Sequence, residues 1–355
     1  MNGSKSPTGK MHLTQLDGLK GVICFFIVFV HYYNRTSSGV FPFSWMPELL
    51  VQKGWMYVEL FFIISGFLTA YSYKHKIDTI SFDQFFAGRF KRLYPSVVLV
   101  TILDAAVRVV GVFATKTAYR LSVTNLIKSL TFASTLIYNE EPFPTVLWYV
   151  HVLFVCWLLW YFAARAKTDT GYLAGTAGML VLGLVLCQAQ LDFPFLYRNI
   201  GRGYLSFSIG LLLFEFQQRA DWRCKKATTL TMLFVSAVSF LLGLAFTFET
   251  VYGDVWFVFT VLLFPTVVLC LLNLPLFAAI FSVKPLVWLG KRSMAIFLVH
   301  VPLLNLFNIL NGMTGLFPLE SKAVFAFVML CIVTAASLWH SLIEKKLIPC
   351  VLKRI

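Results

Sequence analysis

Charged residues are scarce in this chain. Lysine, arginine, aspartate and glutamate make up only 13% of its 355 residues, whereas hydrophobic residues make up 59%. Soluble domains carry about 25% charged residues, so the composition excludes an ordinary soluble protein. Apolar runs of about 20 residues, the length that crosses a hydrocarbon core of about 30 Å, recur along the sequence and leave no stretch for a large soluble domain. We therefore expect an integral membrane protein.

Acidic residues are also few, and the spacing of the cysteines does not suggest pairing. Aspartate and glutamate total 16 against 30 lysines and arginines, which gives a net charge of +14 at pH 7. Lysine and arginine concentrate in the cytoplasmic loops of membrane proteins, so this excess reflects topology and gives no sign of a nucleic-acid partner. The seven cysteines lie mostly inside apolar runs, with no spacing that suggests a disulfide scaffold or a zinc site. We expect no metal site.

The apolar runs predict an all-α fold, a single bundle of about ten transmembrane helices that takes in the whole chain, with its core at about residues 12–346. The predicted spans are 16–34, 54–73, 94–114, 145–164, 172–190, 203–217, 228–248, 255–273, 285–310 and 322–343. Residues 121–138 are apolar but interrupted by Asn125 and Lys128. This pattern predicts an interfacial or re-entrant helix, with an eleventh span as the alternative.

The basic residues also predict the orientation of the bundle. Most lysines and arginines fall in the loops on one side of the predicted spans, and this places both termini in the cytoplasm. The polar start of the chain lacks the short apolar core and cleavage site of a secretory signal, so the first helix is expected to be an uncleaved anchor. The expected location is the cell membrane, which the chain crosses many times.

The first apolar run, LDGLKGVICFFIVFVH, has a lysine near one end and a histidine at the other. Lys20 and His31 are eleven residues apart, which in a helix places both on one face, about 16 Å apart along the axis. Lys20 then lies near the cytoplasmic boundary, where topology alone would place it, and can pair with Asp17. His31 lies in the outer half of the bilayer. It is either a tolerated polar residue or, because ionisable groups inside a span are costly, part of a functional site.

The second span, VELFFIISGFL, brings a carboxylate into the membrane. Glu59 lies about one turn after the outer end of this helix, so we expect it at a depth similar to that of His31. A carboxylate beside a histidine fixes the tautomer of the ring, which suits a general base. The alternative is that Glu59 lines a hydrated vestibule without touching His31.

The third span begins with FAGRFKRLYP on the cytoplasmic side. Arg89 and Arg92 are three residues apart and share one helical face. Guanidinium pairs suit phosphate groups because they offer planar, bidentate donors, although topology alone also favours a basic flank here. Further along, Asp104 and Arg108 are spaced as an i, i+4 pair, and we interpret them as a mutually neutralising structural pair.

Two later spans carry further polar candidates. PTVLWYVHVLF brings Trp148, Tyr149 and His151 to the depth expected for His31. Such rings are either interface-belt residues or a surface at the mouth of a cavity that stacks on sugars. His300, in SMAIFLVHVPLL, is expected near mid-membrane, either as a second polar contact in the cavity or as a core histidine. This layout has cations at the inner end and polar rings at the outer end. It suits a reaction in which a phosphate-bearing donor substrate comes from the cytoplasm and the acceptor substrate is reached from the other face of the membrane.

The order of five motifs resembles acyltransferase family 3, the membrane-bound bacterial O-acyltransferases. These motifs are LDGLKGVICFFIVFVH, VELFFIISGFL, RFKRLYP, LWYV and LGKRSMAIFLVHVPLL. The resemblance implies about ten transmembrane helices in the inner membrane. The implied activity moves an acyl group, usually acetyl from acetyl-CoA, to a hydroxyl of an extracytoplasmic or lipid-linked glycan. Acetyl-CoA or another acyl-CoA is thus a donor substrate, and no bound cofactor is expected.

The resemblance also implies roles for particular residues. It makes His31 the catalytic histidine, as general base or transient acyl carrier, with Glu59 at the family's acidic position. Lys20, Arg89 and Arg92 map onto the basic residues that bind acyl-CoA, and we assign Trp148, Tyr149, His151 and His300 to the acceptor. Two positions depart from the family pattern, because Lys20 replaces a more usual arginine and Leu153 replaces a glutamate. The latter leaves the class of acceptor open.

Two other functions remain compatible with the sequence. A secondary transporter of a small anionic or sugar substrate also uses about ten helices with buried charges, but we find no pair of Gly/Pro-broken helices in corresponding places of two halves. A scaffold subunit without chemistry leaves the placement of His31 and Glu59 unexplained. Direct transfer and a two-step route through an acyl-enzyme are equally compatible with the residues.

Overall fold

The structure, a computed structural model, describes residues 12–36, 39–115, 122–189, 191–219, 226–245 and 254–352. Within these ranges the chain folds into helices and turns, without strands. The α-helices are α1 (Thr14–Tyr33), α2 (Glu48–Val51), α3 (Tyr57–Tyr73), α4 (Phe82–Thr115), α5 (Val123–Leu130), α6 (Ala133–Leu136), α7 (Leu147–Ala164), α8 (Asp169–Gln188), α9 (Arg198–Arg219), α10 (Lys226–Ala245), α11 (Asp254–Val258), α12 (Phe264–Asn273), α13 (Pro275–Phe281), α14 (Lys284–Gly290), α15 (Ser293–Thr314), α16 (Lys322–Leu338) and α17 (Ile348–Leu352).

Shorter helical segments join some of these elements. The 3₁₀ turns Gly54–Met56 and Lys74–Thr79 flank α3. π-Helical segments join two pairs of α-helices into longer rods, Phe259–Leu263 between α11 and α12 and Trp339–Leu347 between α16 and α17. Such wide turns inside helices often occur at functional sites.

The prediction of an all-helical membrane bundle is confirmed. Eight helical segments of the described chain are long and apolar enough to cross a membrane. They are Thr14–Tyr33, Gly54–Thr79, Phe82–Ala114, Leu147–Ala164, Asp169–Gln188, Trp256–Asn273, Ser293–Thr314 and Lys322–Cys350. Helices α9 and α10, of 22 and 20 residues, occupy the other two predicted spans. The count of ten stays a prediction, as do the cytoplasmic termini, because residues 1–11 and 353–355 lie outside the described chain.

The apolar segment after α4 forms two short helices. Helices α5 and α6 have eight and four residues, far fewer than the roughly 20 that cross a bilayer. Lys128, which interrupts the apolar pattern, pairs with Glu140 at 2.8 Å. Neither helix can form an eleventh span by itself, in line with the prediction of an interfacial or re-entrant segment; residue 121 lies outside the described chain.

Helices α3 and α9 pack closely against each other and run parallel. A Cβ on Gly66 of α3 would lie 2.1 Å from the carbonyl oxygen of Phe207, and one on Gly210 of α9 would lie 2.1 Å from that of Ile63. The two glycines therefore let the backbones touch, as small residues do in membrane helix pairs. The SGF sequence of α3 thus serves helix packing.

The start of α1 packs on α13 and α14 in the same way. A Cβ on Gly18 would lie 1.8 Å from the carbonyl oxygen of Phe281, and one on Gly290 would lie 1.8 Å from that of Asp17. Helix α1 continues along α15, where the Cys24 thiol donates to the carbonyl of Ser293. Most of the inter-helix contacts of α1 thus come from the last quarter of the chain.

One end of the bundle collects basic residues, and we call it the basic end. The side chain of Gln217, near the end of α9, bonds that of Asn273 at 2.9 Å, and α13, which follows, packs on the start of α1. Lys74 at the end of α3 lies there too, bound to Glu215 at 2.7 Å. Asp169 and Arg219 complete a network of four charges with separations up to 3.8 Å. Lys20, near the start of α1, belongs to this end.

Candidate active site

His31 and His300 lie side by side at the interface of α1 and α15. Their ring centroids are 5.1 Å apart. The two helices run in the same direction, because Cys24 contacts Ser293 and His31 follows Cys24 by seven residues, as His300 follows Ser293. Seven residues are two helical turns, so both steps return to the same face. The pairing of the two histidines thus follows from the parallel packing of these helices.

The environments of the two rings differ. His300 is fully buried, whereas His31 is only half-buried. Nδ1 of His300 lies 3.1 Å from the carbonyl oxygen of Ile296, and a carbonyl only accepts, so Nδ1 carries the proton. Nε2 is then an acceptor, and it has no hydrogen-bond partner among the described residues. The pair therefore combines a partly exposed imidazole with a buried one of fixed tautomer.

Glu59 does not make the predicted contact with His31. Its Oε1 accepts from Nε of Arg202 at 2.5 Å and from Nε1 of Trp256 at 3.0 Å, and its side chain is fully buried. Both histidine and glutamate lie in the described chain, and no ion pair or hydrogen bond joins them there. The predicted pairing is wrong, and Glu59 does not line a vestibule either.

The helical face of Glu59 explains this outcome. Glu59 shares the side of α3 that packs on α9 with Ile63 and Gly66, since steps of four and seven residues return to one face. Phe61 and Ser65 lie on another face and meet Tyr149. Depth alone, which the sequence indicates, therefore does not decide which neighbour a carboxylate meets.

Glu59, Arg202, Trp256, Trp148 and Trp55 form a group that we call the Glu59 cluster. Arg202 is its central residue, and the sequence analysis missed it. Its guanidinium lies 4.6 Å from the ring centroid of Trp148 and 5.3 Å from that of Trp55, and it donates to the carbonyl of Trp55. A signal existed, because Arg202 stands between two glycines in a predicted membrane segment, and a buried carboxylate such as Glu59 requires a cation. Trp148, predicted to bind the acceptor, belongs to this cluster and covers the guanidinium.

Tyr149 connects α7 with the histidine pair through one aromatic ring. Its centroid is 5.4 Å from that of Phe297, which in turn is 6.0 Å from that of His300. The Tyr149 hydroxyl is 3.0 Å from Oγ of Ser65. The ring of Phe297 thus lies between Tyr149 and His300, and the predicted role of Tyr149 in acceptor binding stays a prediction.

His151 lies away from this region. Its Nδ1 is 2.9 Å from Oγ1 of Thr135, its ring stacks on Phe132 with centroids 4.4 Å apart, and it is fully buried. Two residues of a helix are about 200° apart, so His151 and Tyr149 point to opposite sides of α7. The structure does not bring His151 to the other predicted acceptor residues.

The predicted acyl-CoA residues lie towards the basic end, in different environments. Lys20 pairs with Asp17 at 2.8 Å, which confirms the predicted i, i+3 ion pair, and Asp17 also meets His12 at 3.3 Å. Lys20 keeps 22% of its side chain exposed. The cation is therefore positioned by its neighbour and still accessible from solvent.

Arg89 and Arg92 lie on the same face of α4, but their surroundings differ. The guanidinium of Arg89 lies 3.7, 4.4 and 4.9 Å from the ring centroids of Phe85, Tyr73 and Trp157. Arg92 is exposed, and within the described chain it has no ion-pair or hydrogen-bond partner. Arg92 is thus available to an anionic ligand, whereas Arg89 is enclosed by aromatic rings.

Comparisons with known proteins identify the family of this chain. The family model described as acyltransferase domain, that of acyltransferase family 3, matches residues 13–342. A curated relative, Protein 2 in picA locus of Rhizobium radiobacter, is 38% identical over 105 residues, which are 29% of this chain and 48% of that protein. The chain thus spans about half the length of that relative. No solved structure matches the chain. Because the family model covers nearly the whole sequence, the chain belongs to acyltransferase family 3.

Proposed function

We propose that this protein is an O-acyltransferase of the inner membrane that moves an acyl group, most simply acetyl, from cytoplasmic acyl-CoA to a hydroxyl of an extracytoplasmic or lipid-linked glycan. The observation that carries the proposal is the pair of His31 and His300. It places a partly exposed imidazole next to a buried one of fixed tautomer, inside a member of an acyltransferase family. An imidazole can take up a proton and return it, which is what a general base requires.

The arrangement along α1 supports a donor that enters from the basic end. Lys20 and His31 lie on one face of this helix, about 16 Å apart along its axis. The phosphates of acyl-CoA would bind Lys20 and Arg92, and the extended pantetheine arm would carry the thioester towards His31. The basic end would then face the cytoplasm, as the excess of lysines and arginines favours.

In the proposed reaction His31 takes the proton of the acceptor hydroxyl as its oxygen attacks the thioester carbonyl. The tetrahedral intermediate collapses with cleavage of the carbon–sulfur bond, and the CoA thiolate leaves and receives the proton from the imidazolium. We assign the orientation of the His31 ring to His300 in place of Glu59, because Nε2 of His300 can accept a hydrogen bond from an N–H of His31. In a two-step variant, a ring nitrogen of His31 attacks the thioester carbonyl, the carbon–sulfur bond breaks and CoA leaves as the thiol with the proton of the imidazole. The acceptor hydroxyl then attacks the acyl-imidazole, and its proton returns to the ring.

Radiolabelled acetyl-CoA tests this proposal. Membranes that contain the protein should transfer label to a base-labile glycan ester, and membranes without it should not. Uptake of the label or of a sugar into sealed vesicles, with no ester formed, would instead support a secondary transporter. Tight binding of acetyl-CoA without turnover would support a scaffold subunit. Either of these results would contradict the proposed chemistry.

The two arginines of α4 should differ in their effects on donor binding. Because Arg92 is exposed and without an acidic partner in the described chain, Arg92→Gln should raise the KM for acetyl-CoA by about 10-fold, the value of one charged hydrogen bond, and leave the thermal stability unchanged. Arg89→Gln should instead lower the stability, since three ring contacts are lost. Steady-state kinetics and thermal unfolding in detergent check both. Equal KM values for Arg92→Gln and the unaltered protein would remove Arg92 from the donor site.

A further inference from the structure

A chain of side-chain hydrogen bonds extends from His31 to the interior of α4. Arg35 donates from Nη1 to the carbonyl oxygen of His31 at 2.6 Å, and from Nε and Nη2 to Oδ1 of Asn305 at 3.0 and 2.8 Å. Nδ2 of Asn305 donates to Oδ1 of Asp104 at 3.2 Å. Oδ2 of Asp104 accepts from Nε of Arg108 at 2.7 Å. These hydrogen bonds thus connect the end of α1 with α15 and α4.

Asn305 makes this series of hydrogen bonds continuous. Its amide oxygen is an acceptor and its amide nitrogen a donor, so it joins a guanidinium on one side to a carboxylate on the other. Asp104 is fully buried, and a buried carboxylate needs its hydrogen bonds satisfied. The predicted pair of Asp104 and Arg108 is confirmed, but that pair alone would leave Oδ1 of Asp104 without this donor.

These hydrogen bonds involve both helices that carry the histidine pair. The carbonyl of His31 belongs to the last turn of α1, where carbonyls lack an intrahelical donor, and Arg35 supplies one. Asn305 lies on the helix that carries His300. The same contacts therefore fix the main chain of His31 to the helix of its partner histidine.

We propose that Asn305 is a positioning residue for the acyl-transfer site, acting through Arg35 on His31. This inference rests on the proposed function, since it assigns the residue to that reaction. Its effect is to hold the imidazole of His31 at its place beside His300. A displacement of reacting groups by about 1 Å can reduce a rate by up to about 100-fold, so loss of this support should lower kcat more than it changes the KM for acyl-CoA.

An exchange of the amide and the carboxylate tests the proposal. Asn305→Asp keeps the acceptor for Arg35 but places two carboxylates together, and Asp104→Asn removes the charge that faces Arg108. The double variant Asn305→Asp/Asp104→Asn has an amide and a carboxylate again, with the same total charge. Each single variant should lower kcat about 10-fold or more, and the double variant should recover to within about threefold of the unaltered protein.

The matched control is Asn308→Asp, on the same helix. Asn308 is exposed and forms no side-chain hydrogen bond in the described chain, so this variant should keep kcat. Rates are compared per folded protein, measured by size-exclusion chromatography in detergent. Single variants that lower the folded fraction but keep kcat would overturn the positioning role, as would a double variant no more active than the singles. Failure of the unaltered protein to transfer acetyl would instead contradict the proposed function itself.

Discussion

His31→Ala is expected to lower the rate of acetyl transfer by about 10²- to 10⁴-fold, the usual contribution of a general base. The imidazole that would accept the hydroxyl proton is lost, while His300 remains buried with its Nδ1 proton held by Ile296. Transfer of radiolabel from acetyl-CoA to the glycan, at matched amounts of folded protein, measures the effect. If His31 is instead an acyl carrier, the unaltered protein should hold label in the absence of acceptor.

The control for this experiment is another histidine of the same chain. His75 is exposed at the basic end, after α3, and has no place in the proposed mechanism. His75→Ala should transfer label at the rate of the unaltered protein. Equal rates for His31→Ala and His75→Ala would remove His31 from the chemistry and leave the family membership intact.

Glu59→Leu is expected to cause the largest loss of stability. It leaves the guanidinium of Arg202 buried with no counter-charge, and breaking one side of a buried ion pair costs about 3–5 kcal/mol. Replacement of both partners, Glu59→Leu with Arg202→Met, should recover much of this loss, because neither charge then remains in the interior. Thermal unfolding followed by size-exclusion chromatography in detergent compares the two.

A second ion pair provides the reference for Glu59. Lys128 and Glu140 pair at 2.8 Å, but 44% of the Glu140 side chain is exposed, so Glu140→Leu should change stability little. The activity of the Glu59→Leu/Arg202→Met double variant carries separate information. A stable but inactive double variant would show that the Glu59 cluster serves the reaction, and a stable active one would confine it to folding.

The fold and the local ion pairs could be predicted from the sequence, and the long-range contacts could not. The pairs Asp17–Lys20 and Asp104–Arg108 follow from helical spacing alone. Hydropathy shows which segments are membrane helices, because each needs enough apolar length to cross the bilayer. The third predicted pair, between His31 and Glu59, failed because hydropathy indicates depth but gives no information on the direction of a side chain around its helix.

The contacts that were missed join residues far apart in the chain. Arg202 and Glu59 are 143 residues apart, and Arg35 and Asn305 are 270 residues apart. No periodicity relates such positions, since the packing of α3 on α9 and of α1 on α15 decides them. The close approach of α3 and α9 depends on Gly66 and Gly210, whose effect appears only when the partner helix is known.

The packing of α1 against late helices has a consequence for biosynthesis. The first helix enters the membrane early, yet its partners arrive last, since Tyr32 donates to the carbonyl of Leu319, 287 residues later, and Gly18 packs on Phe281. Domains form during synthesis from the N-terminus onward, but His31 meets His300 only after α15 has been inserted. A ribosome that stops before α15 therefore releases a membrane protein with Lys20 and His31 in place and no assembled site. A chain that ends before α15 would thus lack the histidine pair and would be expected to show no acyl transfer.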